Sequence, residues 1–140
     1  MMTEVFIYDH VRTPRGRGKK DGSLHEVPSV RLAAKVLEAV RDRNGLDTAT
    51  VDDIIMGCVD PVMDAGSVIP KAAAFEAGYS TRAPGMQISR FCASGLDAVN
   101  FGAAKIAQGA EADAFLHGAR IVTDADAIAS PRPDASLFLR

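Results

Sequence analysis

Strand-like and helix-like stretches alternate four times along this chain with short connections, and that alternation constrains its fold more than any other feature. Val5 to Tyr8 is a compact β-branched and aromatic run that predicts a first strand. From Pro28, Ala33, Val36, Leu37 and Val40 recur at helical spacing until Asn44-Gly45 supplies a stop. Ile54 to Val59 is an apolar run that predicts a buried strand, closed by Asp60-Pro61. A second helix is predicted from about Ser67 to Ala77, with Pro70 in its opening turn and Gly78 as its stop. Ala83 to Arg90 predicts a third strand, a third helix follows Cys92, and Ala112 to Gly118 predicts a fourth strand. Alternation of this kind defines an α/β fold (βαβαβαβ) with a mostly parallel sheet and right-handed crossovers.

The third helix has an unusual make-up. Leu96, Val99, Ala103 and Ile106 share one face, while Ala93, Gly95, Ala98, Gly102 and Ala104 leave little side chain elsewhere. Glycine inside a helix costs up to about 1 kcal/mol relative to alanine. Accepting it at both Gly95 and Gly102 predicts that another backbone comes very close and that this helix is sandwiched. At 140 residues the chain is long enough for one domain with a real core. A net charge of −2 and the absence of Trp give no drive toward nucleic acid, and no apolar run is long enough to span a bilayer. Cys58 and Cys92 form neither a disulfide framework nor a metal-type spacing, which fits a reducing cytoplasm.

Gln87 to Asn100 (QISRFCASGLDAVN) is where chemistry is expected. A strand ends at Arg90-Phe91, Cys92 follows at once, and a helix begins. Free backbone N–H groups and the positive end of the helix dipole favour negative charge at such a junction. Arg90 adds a positive charge, and Ala-Ser-Gly keeps the nearby backbone open to a ligand. The backbone N–H of Cys92 could also serve a developing oxyanion. Position alone leaves two readings open, a nucleophile or a small core residue. His10, His25 and His117 are the only candidate bases, and none has a spacing to Cys92 that defines a dyad. Cys58, inside an apolar strand, reads as a packed thiol. Arg12, Arg15, Arg17, Lys19 and Lys20 crowd a Gly-rich loop that is either an anion site or a solvated surface. It contains no GxxxxGK[ST] phosphate loop.

Gln87 to Gly102 closely resembles the nucleophile segment of the thiolases, the acyl-CoA C-acyltransferases, whose pattern there runs Asn-Arg-x-Cys-x-Ser-Gly. Arg12-Thr13-Pro14, the Asp21-Gly22-Ser23-Leu24 turn and Ile55-Met56-Gly57-Cys58-Val59 match as well. Ser89 stands where the family usually has Asn. The resemblance implies a thiolase N-terminal half over residues 1–118, with Cys92 as the acyl-thioester nucleophile and its own N–H as a possible oxyanion donor. It implies coenzyme A thioesters as substrates, no tightly bound cofactor, no metal, and a homodimer or homotetramer for the full-length family. It also implies a second half bearing the activating histidine, a second acid/base cysteine and an Asn-Glu segment, none of which this chain contains. The family pattern stops near Gly118, where Gly-Gly-x-Glu-Ser-Met gives way to Gly118-Ala119-Arg120-Ile121-Val122. Residues 119–140 are therefore expected to be a divergent, irregular tail, from a truncation or a shifted reading frame. Two alternatives stay open: a fragment of a ketoacyl-synthase-type condensing enzyme, and a non-catalytic remnant or assembly partner.

Overall fold

A computed structural model describes residues 4–109 and the strands at 119–124 and 136–139. In chain order the elements are β1 (Ile7–Val11), α1 (Ser29–Asn44), β2 (Val51–Gly57), α2 (Ile69–Glu76), β3 (Met86–Ile88), α3 (Ser94–Ala107), β4 (Ala119–Asp124) and β5 (Ser136–Leu139). They build one five-stranded sheet in the order β1-β5-β4-β2-β3. β2 pairs in parallel with both β3 and β4, with Ile55 opposite Met86 and Val122. β5 runs antiparallel between β1 and β4, so the other four strands share one direction. The expected α/β fold is present.

β2 is the hinge of the packing. Its side chains alternate between two apolar layers, so consecutive apolar residues at Ile54-Ile55-Met56 are what the position requires. Ile54 and Met56 face the layer of α1 and α2, packing with Val36, Leu37, Val40, Ile69 and Ala73. Ile55 faces α3, packing with Ala98 and Ile106. Asp53 is the polar residue buried in this strand, and Lys105 of α3 holds it at 2.7 Å.

Side chains from distant segments finish the ends of the helices. Asp64 Oδ2 accepts the Ser29 N–H at 2.9 Å and so caps α1 from 35 residues away. At the other end of α1, Gly45 takes a left-handed conformation (φ 56°) and the Leu46 N–H reaches Arg41 O at 3.0 Å. The Ile69 N–H of α2 donates to Gln87 Oε1 of β3 at 3.2 Å. Buried Tyr79 donates its hydroxyl to Leu37 O at 2.9 Å, tying the end of α2 to α1. Burial pushes that hydroxyl's pKa well up.

Several boundaries differ from expectation. β1 lies two to three residues later than Val5–Tyr8, since its hydrogen-bonded partner is β5, opposite Ser136 to Leu139. β2 begins at Val51 because Lys105 lets Asp53 enter the sheet. β3 keeps only the three central residues of Ala83–Arg90. The strand expected at Ala112–Gly118 lies outside the described residues. Residues 119–140, expected to be irregular, contain β4 and β5. Ile121-Val122-Thr123 is a β-branched run that a parallel neighbour can recruit, and the two nearby prolines hide this in the sequence.

α3 is turned relative to the predicted face. Gly95, Ala98, Gly102 and Ile106 are its buried stripe, while Leu96 is 64% exposed and Phe101 is also exposed. The smallest side chains face the sheet because its backbone is close there. Among the described residues, α3 is covered on one side only.

Candidate active site

Cys92 is exposed, two residues before the first residue of α3, on a turn that Ser94 organises. Ser94 is buried, and its Oγ accepts the Arg90 N–H at 2.9 Å while donating to Phe91 O at 2.6 Å. Backbone bonds from Ala93 N to Arg90 O and from Ser94 N to Phe91 O, both 3.0 Å, close the same turn. Phe91 is held at φ 45°, a left-handed conformation that is costly for a bulky residue. The chain thus leaves β3, reverses sharply at Phe91, presents Cys92 and enters α3.

Three contacts fix this turn to the sheet. Gly57 ends β2 against the first residues of α3, where a Cβ would lie 2.5 Å from both Gly95 N and Ser94 C. Only glycine fits, which is why a glycine interrupts the apolar run of β2. Ser89 Oγ donates to Val59 O at 3.3 Å, and the Cys58 N–H donates to Ile88 O at 2.9 Å. Ser89, in the position the family usually gives to Asn, therefore fastens the end of β3 to the chain leaving β2.

The other sequence candidates fall elsewhere. Arg90 pairs through Nε with the Asp97 carboxylate in the first turn of α3, so its charge is met rather than left to face the thiol. Cys58 is 1% exposed, with Ala65 O 3.9 Å from its sulfur, as expected of a packed thiol. His10 is exposed on β1, its N–H bonded to Asp9, and His25 faces Glu26 at 3.7 Å on an exposed loop. Among the described residues no hydrogen bond joins either histidine to Cys92; His117 lies outside them. Arg12, Arg15, Arg17, Lys19 and Lys20 are all exposed, with Arg17 3.6 Å from Asp21, which favours the solvated loop over an anion site.

Among the described residues there is no group of three or more His, Cys, Asp or Glu side chains that could hold a metal ion. No helix among them is long and apolar enough to cross a membrane. An apolar cavity of about 560 Å³ lies between α1 and the loop after β1, lined by Val11, Leu24, Val27 and Val36 among others. It shares no lining residue with the Cys92 turn. Ser94 and Gly57 carry the geometry of the site, and neither stands out from the sequence as more than part of a matching motif.

A strand, a strained turn bearing an exposed cysteine, and a helix backed by a sheet share the layout of the strand–turn–helix elbows on which many enzymes carry a nucleophile. Residues 5–136 match the family "Thiolase, N-terminal domain", and the chain belongs to the thiolase family. The match continues past Gly118, through β4 and up to the start of β5. The steroid 3-ketoacyl-CoA thiolase FadA6 of Mycobacterium tuberculosis is 37% identical over 118 residues, covering 84% of this chain and 28% of the relative. The β-ketoadipyl-CoA thiolase of Pseudomonas aeruginosa is 40% identical over 100 residues, 71% of this chain and 24% of the relative. The crystal structure of the Bacillus anthracis acetyl-CoA acetyltransferase superposes with a TM-score of 0.73 at 28% identity, over 88% of this chain and 29% of that one. The chain thus spans less than a third of the length of these relatives.

Proposed function

We propose that Cys92 accepts an acyl group from a coenzyme A thioester, as the nucleophile of a thiolase-type transfer. The Cys92 sulfur attacks the thioester or 3-ketoacyl carbonyl, and the Cys92 backbone N–H helps to hold the tetrahedral oxyanion. Collapse expels coenzyme A, or the acetyl-CoA carbanion from a 3-ketoacyl substrate, and leaves an acyl-cysteine. The acyl group then passes to coenzyme A or to an acetyl-CoA carbanion. Covalent catalysis divides one difficult step into two easier ones. The observation that carries this reading is the exposed Cys92 at the elbow, set within the thiolase match.

The same reading gives the chain no tightly bound cofactor and a cytoplasmic setting. It assigns deprotonation of the thiol to a histidine in the family's second half, so the 140 residues alone do not turn over. Loss of a catalytic base typically costs about 10²–10⁴ in rate. Intact-mass analysis after incubation with acetyl-CoA tests the nucleophile without requiring turnover. An acetyl adduct at Cys92 and not at Cys58, absent in Cys92→Ala, is expected; an unmodified Cys92 would overturn the assignment. Sustained thiolysis by the isolated chain would overturn the statement about the base.

Exposed Phe91 and Leu96 at the start of α3, and exposed Phe101 two turns further along it, support a second component of the reading, assembly with further thiolase surface. The family's dimers and tetramers are the proposed form. Size-exclusion chromatography tests it, and elution as a stable monomer at high concentration would count against it.

A further inference from the structure

We infer that Ser94 is a positioning residue for acyl transfer, holding the Cys92 turn in its reactive shape through the left-handed Phe91; this rests on Cys92 being the nucleophile. Three observations carry it. The Ser94 hydroxyl uses both hydrogen-bonding roles inside the turn, accepting from Arg90 N at 2.9 Å and donating to Phe91 O at 2.6 Å. Those two residues immediately precede Cys92, so the hydroxyl brackets the thiol without touching a substrate. Phe91 pays a conformational cost at φ 45° that a local turn does not maintain unless something over-determines it. Ser94 is itself immobilised, 1% exposed, with its backbone pressed against Gly57 at the end of β2. The Ser94 hydroxyl thereby adds, to the two backbone bonds that close the turn, a side-chain link between its fixed base and the residues before the thiol.

The step affected is acylation. The Cys92 sulfur forms a bond to the carbonyl carbon, the carbon–sulfur bond of the thioester breaks, and the thiol proton ends on the departing thiol. Its rate depends on approach angle and on an aligned oxyanion donor, where small misplacements are expensive. Alkylation by iodoacetamide needs no oxyanion donor and tolerates a looser turn. The two reactions of one sulfur therefore separate position from mere exposure.

The test uses the full chain and S-acetyl-N-acetylcysteamine, a thioester that makes no demand on coenzyme A recognition. Ser94→Ala is expected to slow acetylation of Cys92 by about tenfold while alkylation of Cys92 changes by less than about twofold. Cys58 stays protected from alkylation, which reports an intact core. Phe91→Gly/Ser94→Ala is expected to recover most of the lost acetylation rate, since glycine adopts a left-handed φ at no steric cost. Acetylation at the wild-type rate in Ser94→Ala overturns the assignment, as does a slow double variant with Cys58 still protected. If Ser94→Ala exposes Cys58, the double variant decides: restored protection and acetylation support the assignment, and continued exposure makes Ser94 a folding residue and overturns it. A wild-type chain that alkylates at Cys92 but never acetylates brings down the nucleophile reading itself, and the Ser94 assignment with it.

Discussion

Gly57 and Ser94 touch through their backbones: a Cβ built on Gly57 would stand 2.5 Å from the Ser94 carbonyl carbon and 2.7 Å from its oxygen. The end of β2 and the start of α3 can be this close only because residue 57 has no side chain. Gly57→Ala must therefore push α3 away from the sheet or bend β2. Overpacking of this kind costs about 1–3 kcal/mol. Urea denaturation should show that loss, together with slower acetylation of Cys92 by a small thioester. An unchanged midpoint would mean that the two backbones part easily.

Asp64 serves α1 from outside the helix, and its dependence on pH follows. The Ser29 N–H and hydroxyl hold the Asp64 carboxyl below its ordinary pKa. A depressed folded-state pKa contributes stability that is present above the unfolded value and lost as pH falls through the folded one. Asp64→Ala should cost about 1 kcal/mol near neutrality, as for other lost caps. The difference in melting temperature between wild type and variant should narrow as pH drops below about 4. A gap that stays constant down to pH 2 would show that the carboxylate charge plays no part.

The two thiols should be kinetically distinct. Cys92 is exposed and Cys58 is 1% exposed, so iodoacetamide reaches the second only when the core opens. Under native conditions Cys92 should react at least about 100-fold faster, and the two should become comparable in denaturant. Peptide mapping of the alkylated chain measures this directly. Equal native rates would contradict the burial of Cys58.

Lys105→Ala should be among the more damaging substitutions in α3. It leaves Asp53, 6% exposed, without the ammonium that meets it at 2.7 Å. Breaking a buried pair by removing one partner costs about 3–5 kcal/mol, and the partial exposure of Lys105 places this case toward the lower end. Replacing both residues together, Asp53→Val with Lys105→Met, should recover much of the loss. Denaturation midpoints of the three variants form the required cycle.

The helices and the buried character of β2 are legible in the sequence because each depends on a local pattern. Val36, Leu37 and Val40 repeat at helical spacing, and Gly45 marks the stop. The edges of the strands are not legible in this way. Asp53 looks like a loop residue until Lys105, 52 positions later, supplies its charge partner. β4 and β5 look like a tail because their reason for existing is a neighbour far away in the chain. The facing of α3 is similar. Leu96 appears to belong inside, and only the approach of Gly57 explains why Gly95 turns inward instead. At the candidate site, Cys92 announces itself by its junction and motif. The work of Ser94 does not, because a serine in a Cys-x-Ser-Gly motif looks the same whether its hydroxyl faces water or closes a turn.

The acceptor for the first N–H of α1 comes from Asp64, which lies beyond the helix, a connecting turn and the whole of β2. The far end is closed locally, since the Gly45 and Leu46 N–H groups both reach Arg41 O and the Asn44 side chain donates to Val40 O. On a chain emerging from the ribosome, α1 can therefore be sealed at its trailing end while its leading turn still waits for residue 64. A synthetic peptide spanning residues 28–46 should accordingly show amide exchange that is fastest at Ser29 and its neighbours. The helix would be completed in the direction opposite to its synthesis.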